Sequence, residues 1–302
     1  MILLWGLSGD DPLDDVAEAL RTTGTEFQHL DQRSVLESNV ELAANGVEGR
    51  VTAPGIDLRL ADVTALYIRS YDGRMLPPVR AGGLDAIAHL ERIESALWCF
   101  ADLAPIRVLN RPSAMHSNNS KPFQAKLIRA HGFDVPESVI TTDAEVARAF
   151  WAKHRSVIYK SISGVRSIVS RLTAMHLERL ADIRWCPTQL QEHVQGTDYR
   201  VHVVGTSVFA TAVRSAADDY RYAGRQGLDV TFEPCELPAE IAERSVRLAA
   251  GIGLPLAGLD LRHAVDGRWY CFEVNPSPCF TFYEQHTRQR MTDEVAGYLA
   301  YQ

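Results

Sequence analysis

At roughly 150 residues per domain, a chain of 302 residues leads one to expect about two domains. Apolar residues make up 46% of it and charged residues 23%, which excludes collagen-like and disordered classes. The net charge of −7 argues against a dedicated nucleic-acid binder and against a polybasic membrane-surface protein. It leaves room for an anionic ligand, because a few Lys and Arg can serve one site. The five cysteines (Cys99, Cys186, Cys235, Cys271 and Cys279) are odd in number and form no C-x-x-C pair. They read as reduced, mostly buried thiols of a cytoplasmic protein. The apolar start lacks the basic and long apolar regions of a signal peptide. No apolar run reaches the roughly 18 residues of a membrane span.

In chain order, residues 1–7 read as a buried strand. Ser8-Gly-Asp-Asp-Pro12 is turn and helix-cap chemistry, and Leu13, Val16, Ala17 and Leu20 then keep helical spacing. A strand near Thr25–Leu30 completes a β-α-β unit, and Ala65–Arg69 is another buried strand. A long helix between Gly82 and Leu103 carries Leu84, Ile87, Leu90, Ile93, Leu97 and Phe100 at intervals of three to four. The first hundred residues therefore describe a small α/β domain. A polar, turn-rich stretch follows, and the linker is placed at 104–112. A helix over Pro122–His131 closes on Gly132, which suits the position after a helix end. Short β-rich runs come next, at Val135–Thr141, Val157–Ser161, Ser167–Leu172, Leu190–His193, Arg200–Val204 and Ser207–Val213. The helix Ala239–Ile252, strands Gly258–Ala264 and Trp269–Val274, and a last helix Thr292–Ala300 complete the chain. Asp266-Gly267 marks a hairpin turn between the last two strands.

That hairpin carries Asp260 on one strand and Glu273 with Asn275 on the other. Glu273 and Asn275 are two apart, so their side chains point the same way. Two carboxylates and an amide oxygen at strand ends suit a hard cation such as Mg²⁺. Solvated acids on an outer sheet face are the bland alternative. The apolar flanks, Ala-Gly-Leu-Asp-Leu and Tyr-Cys-Phe-Glu-Val-Asn, weigh against it, since a carboxylate there needs a partner. Lys160 ends an apolar strand, and Lys121 stands at a helix start, where a cation gains from an anion docking beside it. Each lysine alone also fits an ordinary surface role. The loop after Lys160 is neither a Walker A loop nor G-x-G-x-x-G. Leu190-Gln-Glu-His-Val194 followed by Asp198-Tyr-Arg200 is an apolar strand ending in a polar run, able to meet a base and then a sugar.

The ordered set resembles the ATP-grasp carboxylate–amine ligases. Its members are Ser120-Lys121, Tyr159-Lys160, Trp185-Cys-Pro187 with Leu190-Gln-Glu-His-Val194, Asp198-Tyr-Arg200, Asp219-Tyr-Arg221, Ala257-Gly-Leu-Asp260 and Phe272-Glu-Val-Asn-Pro-Ser-Pro278. Within that superfamily the chain is similar to ribosomal-protein glutamate ligases and to microviridin-type (graspetide) macrocyclases. Trp-Cys-Pro ahead of Gln-Glu resembles the latter in particular. The likeness spans about residues 106–290. It implies the ATP-grasp fold, of α/β (α+β) class: an N-terminal α/β domain (1–105), then a region with linker, helix and central β subdomain (106–194), then a C-terminal lobe with the metal site (195–302). Two lobes would clasp the nucleotide.

By the same resemblance Lys121 and Lys160 contact the ATP phosphates. Gln191, Glu192 and Val194 form the adenine hinge, and Asp198 binds the ribose. Asp260, Glu273 and Asn275 hold Mg²⁺, two ions being expected. Arg200 and Arg221, with Lys160, serve the transferred phosphoryl group or the acyl phosphate. The sequence departs from the pattern in two places. A single glycine, Gly164, follows Lys160, which leaves Ser161 and Ser163 open as phosphate contacts. Cys279 stands where glycine is frequent, which leaves the acceptor pocket open. Arg166 and Arg171 line the mobile loop or are solvated.

The implied activity is an ATP- and Mg²⁺-dependent ligase that releases ADP and phosphate and joins a carboxylate to an amine or hydroxyl. The acceptor is a precursor peptide or a small amino acid. A non-catalytic nucleotide-binding module is the reading from another class, and the full metal set argues against it. No nucleic acid and no membrane partner is expected, and a homodimer is left open. Ten histidines without H-E-x-x-H spacing exclude the usual zinc hydrolase. Ser8 is not in a G-x-S-x-G elbow and reads as a turn residue. Tyr67, Arg69, Tyr71, Asp219, Tyr220 and Tyr222 face a cleft or pack.

Overall fold

A computed structural model describes residues 1–154, 156–162, 169–215, 220 and 227–301. The chain opens with β1 (Ile2–Gly6), α1 (Asp11–Thr22) and β2 (Phe27–Asp31). An antiparallel meander of β3 (Asn39–Leu42), β4 (Gly49–Ala53) and β5 (Ile56–Arg59) follows. Next come β6 (Ala65–Arg69), α2 (Pro77–Ala81), α3 (Gly83–Leu103) and β7 (Arg107–Leu109). The first sheet is parallel, in the order β2-β1-β6-β7. Its fourth strand thus comes from just past the boundary drawn at residue 105.

Both faces of β1 are covered, which is why it is apolar throughout rather than alternating. Leu3 and Trp5 pack with Leu90, Ile93, Leu97 and Phe100 of α3. Ile2 and Leu4 pack with Leu13, Val16 and Leu20 of α1. The expected face of α3 is buried from Leu90 onward. Leu84 is 84% exposed, because in the first turn only Ala86 reaches the core.

The chain continues through α4 (Pro112–Met115) and α5 (Lys121–Ala130). Gly132 takes φ +86°, a left-handed conformation that ends the helix and that a side chain would strain. Then come β8 (Ser138–Thr141), α6 (Ala144–His154), β9 (Val157–Ser161), β10 (Ser170–Arg171), α7 (Ala174–Glu178) and β11 (Thr188–Glu192). They build a second, antiparallel sheet ordered β10-β9-β11-β8, with Ala147 and Phe150 of α6 packed on it. The third sheet comprises β12 (Gly196–Val204), β13 (Ser207–Ser215), β14 (Val230–Cys235), β15 (Leu256–Ala264) and β16 (Trp269–Asn275), with α8 (Ala239–Gly251) between the third and fourth of these. Its order is β14-β13-β12-β15-β16, all antiparallel. Last are α9 (Phe280–Thr287) and α10 (Met291–Ala300). Met291, Val295 and Leu299 of α10 join the core that α1 forms against the first sheet, so the C-terminus braces the N-terminal domain.

The meander, α6, β14 and α9 went unread in the sequence. The cysteines need a correction: all five are free, as expected, but Cys99, Cys186 and Cys279 are exposed and Cys271 alone is buried. Cys99 is on a helix, Cys186 and Cys279 are on connecting segments, and Cys235 and Cys271 are on strands; a thiol costs little in either environment. Among the described residues no helix is long and apolar enough to cross a membrane.

Candidate active site

Antiparallel pairing of β12 with β15 sets Asp198 opposite Arg262 and Arg200 opposite Asp260. The two Asp-x-Arg triplets run in opposite directions, so each carboxylate meets a guanidinium. Arg262 grips Asp198 with two bonds, Nε to Oδ1 at 2.6 Å and Nη2 to Oδ2 at 2.8 Å. Arg200 Nη1 lies 2.5 Å from Asp260 Oδ1. The side chains of Arg200 and Arg262 are only 8% and 15% exposed, so each charge is carried by its partner and not by water. Burial works against the charge of Arg200, but Asp260, Tyr283 and Tyr220 outweigh it and hold the guanidinium protonated.

Gly258 makes the approach of Arg200 possible. A Cβ there would run into the guanidinium and lie 2.8 Å from Pro278 Cβ. On the other side of Arg200, His202 is fully buried, with Nε2 3.4 Å from the arginine Nε. Burial first, and the nearby Arg200 second, push its pKa well down, so the ring is neutral. Neutral His202 can accept from Arg200 without adding a second cation.

Asp260 also lies opposite Glu273 on β16, and the register slips just beyond, with Leu261 facing Cys271. Phe272 is the extra residue of this bulge. The slip lets Phe272 and Glu273 both face the cleft, which strict alternation forbids. Two apolar residues, Cys271 and Val274, flank them and are fully buried.

A cleft opens between the second and third sheets. It is lined by Lys160, Gln191, Glu192, Val194, Asp198, Asp260 and Glu273, seven residues singled out from the sequence. Apolar walls come from Ile158, Val169, Leu261 and Phe272. A second cleft shares Lys160, Gln191, Phe272 and Glu273 with the first and adds Lys121. The two lysines and Glu273 are thereby brought to one place. Arg200 backs the first cleft through Asp260. Asn275 stands opposite Gly258, and its Oδ1 accepts from Ser277 N–H at 2.9 Å. Arg221, Asp219, Tyr222, Ser163 and Arg166, and the side chain of Ser161, lie outside the described residues.

The segment from Gln191 to Val194 is tied down by more than its own strand. Glu192 Oε1 accepts from Glu137 N–H at 2.9 Å, and Arg262 Nη1 donates to Val194 O at 2.6 Å. Arg262 also lies over the Phe272 ring, 5.1 Å from its centroid. Sequence reasoning missed Arg262. The available signal was an arginine two residues beyond Asp260 on an apolar strand, but its partner is visible only once β12 is laid alongside.

Among the described residues no group of three His, Cys, Asp or Glu side chains forms a metal cage. Asp260, Glu273 and Asn275 instead offer two carboxylates and an amide oxygen. Such an incomplete all-oxygen set fits Mg²⁺, which keeps waters and takes phosphate oxygens to complete its shell.

Of the remaining candidates, Tyr67 is buried and Tyr71 is half exposed, and Tyr220 lines the cleft with its hydroxyl 2.8 Å from that of Tyr283. Arg69 pairs with Asp10 and donates to Ser277 Oγ and Pro278 O, at 3.2 and 3.1 Å. It thus joins the N-terminal domain to the loop after Asn275. Ser8 donates to Asp31 at 2.6 Å, a structural role.

A cleft between two antiparallel sheets that gathers lysines, carboxylates and an apolar wall fits an ATP-grasp enzyme. The family profile described as the RimK-like ATP-grasp domain matches residues 119–299, more than half of the chain. The chain belongs to that family and is an ADP-forming ligase. A tetrahydromethanopterin:alpha-L-glutamate ligase of Methanocaldococcus jannaschii is 22% identical over 203 residues, 63% of this chain and 69% of that protein. Among solved structures, the ATP-grasp ligase PsnB, complexed with a phosphomimetic variant of a minimal precursor, Mg and ADP, superposes with a TM-score of 0.83. It is 27% identical and covers 99% of this chain and 97% of its own. The macrocyclase MdnC of Microcystis aeruginosa MRC, bound with precursor peptide MdnA, has a TM-score of 0.83 at 22% identity, covering 100% of both chains.

Proposed function

We propose that the protein uses ATP and Mg²⁺ to join a carboxylate to an amine or hydroxyl within a ribosomally made precursor peptide, in the cytoplasm. The observation that carries the peptide reading is the extent of the likeness to PsnB. It covers 99% of this chain at 27% identity, the N-terminal domain included, whereas the glutamate ligase matches 63%. That glutamate ligase supports a second reading, a ligase of small amino acids.

The first division is moved past β7 (Arg107–Leu109), the second is kept at residue 194, and the nucleotide would lie between the second and third parts. The assignments follow the cleft. Lys121 and Lys160 would meet the phosphates, Gln191, Glu192 and Val194 the adenine, and Asp198 the ribose. Arg262 is added here as the residue that orients Asp198. Asp260, Glu273 and Asn275 would hold Mg²⁺, which when bound neutralises phosphate charge. Arg200, through Asp260, and Arg221 are assigned to the transferred phosphoryl group.

A carboxylate has a poor leaving group and does not acylate an amine in water at useful rates. Its oxygen attacks the γ-phosphorus, ADP leaves, and an acyl phosphate forms. The nucleophile then attacks the carbonyl carbon and phosphate departs, with the nucleophile's proton lost to solvent or a base. The first step needs positioning and charge neutralisation more than acid–base chemistry. The lysines and bound Mg²⁺ would supply the neutralisation, and the Asp–Arg pairs the positioning.

The test is mass spectrometry of candidate precursor peptides, beginning with any short Thr/Glu-rich reading frame beside this gene. Each bond formed removes one water from the peptide and releases one ADP. An unchanged peptide with consumption of free amino acids supports the small-molecule reading. Formation of AMP and pyrophosphate defeats both.

A further inference from the structure

The strand that carries Glu273 and Asn275 is the edge of its sheet, since β16 is last in the order and pairs only with β15 among the described strands. Its outer backbone groups still need partners. At the start of the strand Asp134 supplies them, donating to Trp269 O at 3.1 Å and accepting from Cys271 N–H at 2.9 Å. Between the two metal donors the partner is a side chain. Gln124 Nε2 donates to Val274 O at 2.8 Å, and its Oε1 accepts from Val274 N–H at 3.1 Å. The carboxamide thus takes the place of a neighbouring strand for one residue, the one between Glu273 and Asn275.

Gln124 is 4% exposed, so water cannot replace these bonds. It stands one turn after Lys121 on α5, and residues three apart share a helix face. Lys121, Gln124, Lys160 and Glu273 all line the second cleft. A two-bond grip at Val274 limits how far β16 slides or twists relative to α5. The placement of Glu273 and Asn275 then depends on the helix that presents Lys121.

We propose that Gln124 is a positioning residue of the metal–phosphate centre. It ties the helix bearing Lys121 to the strand bearing Glu273 and Asn275, so that lysine and metal donors keep one geometry. This rests on the assignments of Lys121, Glu273 and Asn275 made above.

The experiment is isothermal titration of ADP into the full-length protein, in EDTA and over a series of Mg²⁺ concentrations. It is run on wild type, Gln124→Met and Gln124→Glu. Glutamate keeps the size of glutamine and the acceptor for Val274 N–H but loses the donor to Val274 O, so it serves if the methionine variant fails to fold. Groups that orient metal ligands are typically worth ten- to a hundred-fold in metal affinity, so the Mg²⁺ concentration for half-maximal tightening should rise about tenfold while affinity in EDTA stays within about twofold. Ile93→Val, a destabilising change in the N-terminal core, should leave the Mg²⁺ dependence unaltered. A wild-type Mg²⁺ dependence in both Gln124 variants, with or without a lower melting temperature, overturns the proposal and leaves Gln124 a purely structural residue. A wild type whose ADP affinity ignores Mg²⁺ instead overturns the metal assignment beneath it, and the proposal falls with that assignment.

Discussion

Two clefts of this protein hold carboxylates in different ways. Under the nucleotide cleft each Asp faces an Arg across a strand pair, Asp198 with Arg262 and Asp260 with Arg200. In the N-terminal domain, a cleft lined by Tyr71, Asp72, Arg74, Glu91, Glu94 and Trp98 has one arginine among three acids. That arginine is paired with Glu91. Glu94 accepts from Gln32 Nε2 at 3.5 Å, and burial first, then Asp72, push its pKa up to about 7 against the pull of Arg74. Partial burial is common to both places. The difference is the matched cation beside each Asp. Such pairing makes the charge tolerable without making the pair a net source of stability.

The comparison is broken most directly at Asp260. Asp260→Asn leaves Arg200 buried without its counter-charge, a loss of about 3–5 kcal/mol in urea unfolding. It also removes a proposed metal donor, so ADP release should fall by about a thousandfold or more. The double variant Asp260→Asn/Arg200→Met should recover much of the stability and none of the activity.

Arg262→Met is expected to be next in size. It takes the two-bond guanidinium grip from Asp198 and the donor from Val194 O, for about 2–3 kcal/mol. ATP KM should rise about tenfold with kcat within about twofold, since the lost contacts orient the bound nucleotide in ground and transition states alike.

Glu94→Gln should have the opposite sign. Because the folded-state pKa of about 7 lies above the ordinary 4.5, the fold binds the proton more tightly than the unfolded chain does. Ionisation therefore costs stability as pH rises from about 4.5 through 7, and the cost is complete above that window. The variant should match wild type at pH 4.5 and exceed it by on the order of 2 kcal/mol at pH 8, read from urea midpoints. A wild-type midpoint independent of pH across that window would remove the contrast between the clefts.

The smallest effect is expected at Arg50–Asp57, a pair of opposite charges standing in solvent. Asp57→Asn should leave the unfolding midpoint unresolved from wild type, because water already compensates both charges. A measurable loss there would mean that pairing, and not burial, sets the cost.

Legibility along the chain followed the same division. The strand at 65–69, the helix from Leu90, the hairpin over 256–275 and the ordered lysines and carboxylates were readable, because each rests on spacing within one segment. The meander over 39–59 and the strand at 230–235 were not. Asn39–Leu42 and Ile56–Arg59 do alternate, but each run is four residues long, too short to stand out by spacing alone, and pairing partners decide them. Leu84 shows the limit of periodicity: its spacing is right, but its turn meets the core through Ala86 and leaves Leu84 in solvent.

By itself the sequence determined which residue types were available for the chemistry and in what order they arrive, since a motif is a local property of the chain. Only the tertiary structure decided who partners whom. The opposed Asp-x-Arg triplets, the bulge that turns Phe272 and Glu273 to the same side, and the grip of Gln124 on Val274 all join residues far apart in the chain. Such contacts depend on register and on closing long loops, quantities that no single segment encodes.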